Sequence, residues 1–157
     1  MANLQTAIEI AVRAHAGQTE KNNDRPYVLH PLRMMNSVQE EKAKIVAVLH
    51  DVVEDTTTTE HDLRKAGFSE EILAGVLSVT RQEGESYTDF VVRVKRNPLG
   101  KQVKLADLLD NYNLPRTLFR LDRITHDLTR LLRYILSYQF LTDQITEEQY
   151  RQAMPAG

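Results

Sequence analysis

Two stretches of this chain place aspartate where an ionised carboxylate is expensive. His50 and Asp51 follow Ile45-Val46-Ala47-Val48-Leu49 and precede Val52-Val53, and Asp107 lies within VKLADLL at 103–109. A buried aspartate costs several kcal/mol unless it is paired, hydrogen-bonded or bound to metal. Two apolar helices each bringing such a group inward point to a shared partner, and a metal ion satisfies both. Neighbouring residues on a helix point about 100° apart, so His50 and Asp51 both reach an ion in the groove beside them. His30 precedes Pro31, a position biased toward extended or capping backbone, from which its ring can be aimed at the same place. Two imidazoles and two carboxylates form a borderline-to-hard donor set suited to manganese, iron, zinc, cobalt or nickel. An ion held there polarises a phosphoryl oxygen and makes water a nucleophile at neutral pH.

Further polar residues fall at helical spacing from these. If the central helix continues for one turn, Glu54 lies four residues after His50 and Asp55 four after Asp51, each on its partner's face. Both are candidates for orienting or deprotonating the attacking water. Asp110 and Asn111 follow Asp107 by three and four residues, and the Asn111 amide suits a ribose or phosphate oxygen. Lys21, Arg25 and Arg33 flank His30 in sequence and offer phosphate contacts or, equally, a solvated basic rim. Each residue alone has a plainer reading. Asp107 could pair with Lys104 three residues earlier, Glu54 and Asp55 could be solvated helix-end charges, His30 could be a cap, and Asn111 a helix C-cap.

The elements that must position these groups read as helices. Leu4, Ala7, Ile8, Ala11, Val12 and His15 share one face, and Gly17 ends that helix. Pro31 suits the first turn of a second helix to about Gln39, and a buried central helix runs from Lys42 to Val53. Thr59, Ser69 and Ser86 are N-cap candidates for the next three. A helix over about Gly100–Asn111 carries Asp107, a long one runs from about Leu118 to Phe140, and Thr146 with Gln149 forms a capping-box pattern for the last. No strand-length alternation, repeat or linker interrupts the pattern, so the expectation is an all-α single domain of about eight helices spanning 1–157.

The bulk numbers fit that expectation. The chain has 157 residues, 41% hydrophobic and 27% charged, with a formal net charge of -2, which argues against a nucleic-acid-coating or membrane-surface role. With no cysteine, thiolate nucleophiles, iron–sulfur clusters and disulfides are excluded, and a metal must rely on His, Asp and Glu. No apolar run approaches the roughly 18–20 residues of a membrane span, and the N-terminus reads as a folded helix, so a cytoplasmic location is expected. The sequence carries no signal for oligomeric state.

The ordered set AHAGQ at 14–18, RPYVLHP at 25–31, AVLHDVVEDT at 47–56 and VKLADLLDN at 103–111 resembles the HD superfamily. More narrowly, it resembles the (p)ppGpp-hydrolase domain of the Rel/Spo family and its small stand-alone alarmone hydrolases. The resemblance implies a compact orthogonal helical bundle with His30, His50, Asp51 and Asp107 holding a single divalent ion, manganese. It implies Glu54 and Asp55 as the catalytic acidic pair, Asn111 as a substrate contact, and a small nucleotide as the partner. The implied reaction removes the 3′-pyrophosphate of ppGpp by water attack at phosphorus. Three positions depart from the family. Lys21 stands where a guanine-stacking arginine is usual, and Arg25 replaces an acidic residue. Leu108, Leu109 and Asp110 follow Asp107 where arginine or lysine and then histidine or tyrosine are frequent. All three departures touch base recognition more than metal binding. The readings to be separated are a ppGpp hydrolase, a broader nucleotide phosphatase or phosphodiesterase on the same site, and a catalytically idle nucleotide-sensing module.

Overall fold

Short polar side chains start most of the helices, because each helix leaves its first N–H groups without an intrahelical acceptor. The computed structural model describes residues 1–20, 24–113 and 121–155. Among them are ten α-helices: α1 (Leu4–Ala14), α2 (Leu29–Ser37), α3 (Glu41–Leu49), α4 (Val52–Asp55), α5 (Glu60–Ala66), α6 (Glu70–Val79), α7 (Tyr87–Lys95), α8 (Pro98–Asn111), α9 (Ile124–Leu141) and α10 (Glu147–Ala153). Asn3, Ser69, Ser86 and Asn97 each accept a hydrogen bond from a first-turn backbone N–H. Thr59 with Asp62 and Thr146 with Gln149 close full capping boxes. No strand occurs among the described residues, only an isolated bridge between Thr19 and Pro26. No described helix is long and apolar enough to cross a membrane.

Two expectations change. The helix foreseen from Lys42 to Val53 is broken at His50–Asp51, where Asp51 has φ −99° and ψ −2°. Divided there into α3 and α4, it brings the count among the described residues to ten where about eight were expected. His30 is not extended, since α2 begins one residue earlier, at Leu29. Pro31 is tolerated inside the first turn because its missing N–H would have had no acceptor there. The pre-proline bias against helix is overcome by the turn feeding into it, with Leu29 N–H donating to Pro26 O and His30 N–H to Tyr27 O. The foreseen start of the long helix near Leu118, with Arg116 and Arg120, lies outside the described residues.

Helix α3 is the axis of the fold. Ala43, Ile45, Val46, Ala47, Val48 and Leu49 are all buried, as a helix apolar on every side must be, and α1, α2, α6 and α8 pack around it. Helices α6 and α8 approach closely because glycine faces the contact: a Cβ on Gly100 would fall 2.0 Å from Ser78 Oγ and 3.1 Å from Ser78 Cβ. Gly100→Ala is therefore expected to lower stability by about 1–3 kcal/mol through overpacking, read by urea denaturation, with Ser78→Ala recovering part of the loss. At the far end α10 seats Tyr150 in the core. Its ring stacks on Phe140 at 4.6 Å and its hydroxyl pairs with Ser137 at 3.0 Å.

Candidate metal centre

Three helix segments converge on one cavity of about 750 Å³. Helix α2 brings His30 and Arg33, the α3–α4 junction brings His50 and Asp51, and α8 brings Lys104, Asp107, Asp110 and Asn111. Ligand atoms of His30, His50 and Asp107 lie within 4.8 Å of one another, and all three residues are buried. Asp51 is not part of that mutual set. It lies beside it, with Oδ2 2.8 Å from His50 Nε2 and accepting a hydrogen bond from the Tyr27 hydroxyl.

Both imidazoles are set to offer Nε2. His50 Nδ1–H donates to the Ala47 carbonyl at 2.7 Å, which leaves Nε2 as the ring's lone-pair nitrogen. That atom is buried and faces Asp51 Oδ2 at 2.8 Å; burial works against charging the ring, yet without a metal Asp51 holds it toward its protonated form. His30 Nδ1–H donates to Asp110 Oδ2 at 2.7 Å, and its Nε2 lies 3.4 Å from Asp107 Oδ1. A second ring nitrogen fixed by a carbonyl or carboxylate is the arrangement metal-binding histidines use. The buried His50 Nε2 beside Asp51, the oriented His30 and the buried Asp107 together fit a divalent cation.

Electrostatics ties the cluster together. Burial would raise Asp107, but the Lys104 ammonium, whose Nζ is 2.7 Å from Oδ2, and His30 hold its carboxyl far below the usual range. Asn111 Nδ2 donates to the other oxygen of Asp107 at 2.5 Å. Burial would likewise raise Asp51, yet the adjacent His50 outweighs it and holds Asp51 at about 2. Burial works against charging His30, but Asp107 and Asp110 prevail and raise it to about 9. Below that pH a proton occupies the imidazole that a metal needs neutral. Mn²⁺ affinity is therefore expected to rise with pH and level off above about 9. Calorimetric titrations in buffers of different ionisation enthalpy should show proton release, and buffer-independent heats would contradict it.

Of the other residues singled out in the sequence, Glu54, Asp55 and Asn111 line the cavity. Glu54 Oε2 accepts the Arg81 N–H at 2.9 Å, and both acidic side chains are exposed. Arg25 is exposed and does not line the cavity; its carbonyl instead accepts the Glu20 N–H at 2.9 Å, closing the loop that precedes α2. Lys21 lies outside the described residues. The pairing of Asp107 with Lys104 is present, and it coexists with the cluster. His15 is buried with Nδ1 2.8 Å from Gln18 Oε1, and Gln18 Nε2 donates to the Asp55 carbonyl. Tyr27 does more than pack, since its hydroxyl holds Asp51. Arg123, His126, Asp127 and Arg130 of the α9 region line the same cavity, with Arg130 Nη2 3.4 Å from Asp127 Oδ1. No described residue after Tyr134 lines the cavity, so the C-terminal segment packs on the domain away from it.

Comparison with known proteins places these features in context. The chain is 31% identical over 120 residues to a guanosine-3′,5′-bis(diphosphate) 3′-pyrophosphohydrolase from Aquifex aeolicus, a match covering 69% of this chain and 17% of that protein. It is 34% identical over 127 residues to the bifunctional (p)ppGpp synthase/hydrolase RelA of Mycobacterium tuberculosis, covering 73% and 17%. The chain thus spans about a sixth of the length of these curated relatives. A solved structure described as a metazoan ortholog of SpoT that hydrolyzes ppGpp superposes with a TM-score of 0.65 at 24% identity, covering 92% of this chain and 96% of that one. It shares the all-α fold. No family model matches the chain.

Proposed function

Starting from a chain that belongs to the family of Rel/Spo-type HD domains, we propose that it is a metal-dependent phosphohydrolase acting on guanosine 3′,5′-bis(diphosphate). The observation that carries this reading is the convergence of two Nε2-presenting histidines and the buried Asp107 in a cavity that Arg81, Arg123 and Arg130 also line. A metal-type cluster in a cavity that also carries arginines suits a small substrate with phosphates at two positions.

His30, His50, Asp107 and the adjacent Asp51 would hold one divalent ion, manganese in this reading. That ion supplies the Lewis acidity that polarises a phosphoryl oxygen and makes water nucleophilic at neutral pH. Glu54 and Asp55, exposed at the cavity edge, orient the water, and one of them takes its proton as the new P–O bond forms. The bond from phosphorus to the ribose 3′-oxygen breaks, the leaving oxygen takes up a proton from solvent, and the products are GDP and pyrophosphate. Asn111, donating through Nδ2 to Asp107, presents its side-chain carbonyl to a substrate hydroxyl.

A second reading, a broader nucleotide phosphatase or phosphodiesterase, is favoured by one feature. Arg33 Nε and Nη2 are committed to Asp110 and Glu20, so the arginine next to His30 is held within the protein. Incubating Mn²⁺-loaded protein with ppGpp, GTP, NADPH and 5′-nucleotides separates the readings. Pyrophosphate released from ppGpp alone supports the first, and phosphate from several substrates supports the second. Binding without turnover would leave an idle sensing module.

A further inference from the structure

Position 110 holds aspartate where the family resemblance leads one to expect histidine or tyrosine, and its carboxylate is fully engaged in a way no sequence spacing suggested. Oδ2 accepts the His30 Nδ1–H at 2.7 Å, across 80 positions of sequence. Arg33 grips the same carboxylate through two bonds, Nε to Oδ1 at 2.9 Å and Nη2 to Oδ2 at 3.0 Å. Arg33 is in turn tethered by Glu20, whose Oε1 lies 2.5 Å from Nη2. Arg33 follows His30 by one turn of α2, and Asp110 follows Asp107 by one turn of α8. The three groups therefore form a second layer directly behind the His30–Asp107 contact.

We propose that Asp110, clamped by Arg33, is the positioning residue for the His30 ligand. It fixes Nδ1 as the protonated nitrogen and turns Nε2 toward the cluster. A neutral imidazole has two tautomers and can flip its ring, and only one combination offers Nε2 as a lone pair at this place. The carboxylate selects that combination and raises the donor strength of Nε2. Asp110 does not act as a ligand itself, because it meets the ring on the edge opposite the one facing Asp107. The bidentate Arg33 clamp stops the carboxylate from rotating toward the ion, which a planar guanidinium does and an ammonium would not.

The inference rests on the metal reading of the site, and the experiment keeps the two apart. Mn²⁺ affinity of the full chain is measured by calorimetry for wild type, Asp110→Ala, Asp110→Asn, Arg33→Met and the Arg33→Met/Asp110→Ala double variant, together with the Tm of each metal-free protein. Asp110→Ala is expected to weaken Mn²⁺ binding by about 10–100-fold. Asp110→Asn keeps an acceptor for Nδ1–H and is expected to recover most of that loss. Arg33→Met should show an intermediate loss, and the double variant should bind no more weakly than Asp110→Ala, since the two residues act through one contact. Wild-type affinity in Asp110→Ala, or equal weakening by Asn and Ala, would overturn the positioning role while leaving the metal site intact. If Asp110→Ala fails to fold, wild-type affinity in Arg33→Met overturns the clamp on its own. A wild-type chain that takes up no Mn²⁺ would refute the metal reading and this inference together.

Discussion

Asp107→Ala is expected to abolish Mn²⁺ binding and to lower the stability of the metal-free chain by about 3–5 kcal/mol, the cost of breaking a buried ion pair by removing one partner. The size of the effect follows from what Asp107 faces. Its two oxygens meet Lys104 Nζ at 2.7 Å, Asn111 Nδ2 at 2.5 Å and His30 Nε2 at 3.4 Å. Lys104 is largely buried and is held well above the ordinary lysine range by Asp107, against the opposing effect of burial. Removing the carboxylate strands that ammonium beside Tyr87 and Phe90. A Lys104→Met/Asp107→Ala double variant should therefore regain most of the stability and none of the metal binding, checked by denaturant titration and calorimetry. Mn²⁺ affinity unchanged in Asp107→Ala would show that the site is wrongly assigned.

Glu54→Gln is expected to do the opposite: spare the metal and lose turnover, by about 10²–10⁴-fold in kcat, the usual contribution of a general base. Glutamine keeps an oxygen to accept the Arg81 N–H now bonded to Glu54 Oε2, so the loop stays anchored while the basic group is gone. Asp55→Asn measured alongside tells which carboxylate takes the proton, because only the base should show the full loss. Full turnover in both variants would remove the acidic pair from the chemistry.

What could be read from sequence was local. Thr59, Ser69, Ser86 and Thr146 start their helices as their side chains require, because a cap is decided within three or four residues. The all-apolar run at 45–49 told correctly of a buried axis. The candidate site was legible because an aspartate in such a run is costly enough to need a reason. Long-range competition was not legible. His30 is helical because the turn through Pro26 and Tyr27 outweighs a one-residue backbone bias. The break at His50–Asp51 has no proline or glycine to announce it. Spacing put Asp110 on the side of Asp107, but only the packing of α2 against α8 brought it to His30 and Arg33. Arg25 failed for the same reason in reverse, since nearness to His30 in sequence did not bring it to the cavity.

The three side chains gathered within 4.8 Å come from positions 30, 50 and 107, on helices that otherwise touch only through apolar packing and polar side-chain contacts. For a chain without cysteine, this is, among the described residues, the one group of His, Asp and Glu that could hold a metal ion, and on the proposed reading such an ion would link distant segments reversibly. A disulfide restrains a chain according to the redox poise around it, whereas this link tightens with the supply of free metal. On the proposed reading the same three segments would then be more or less rigid as the metal level of their surroundings changes, with no change in covalent structure.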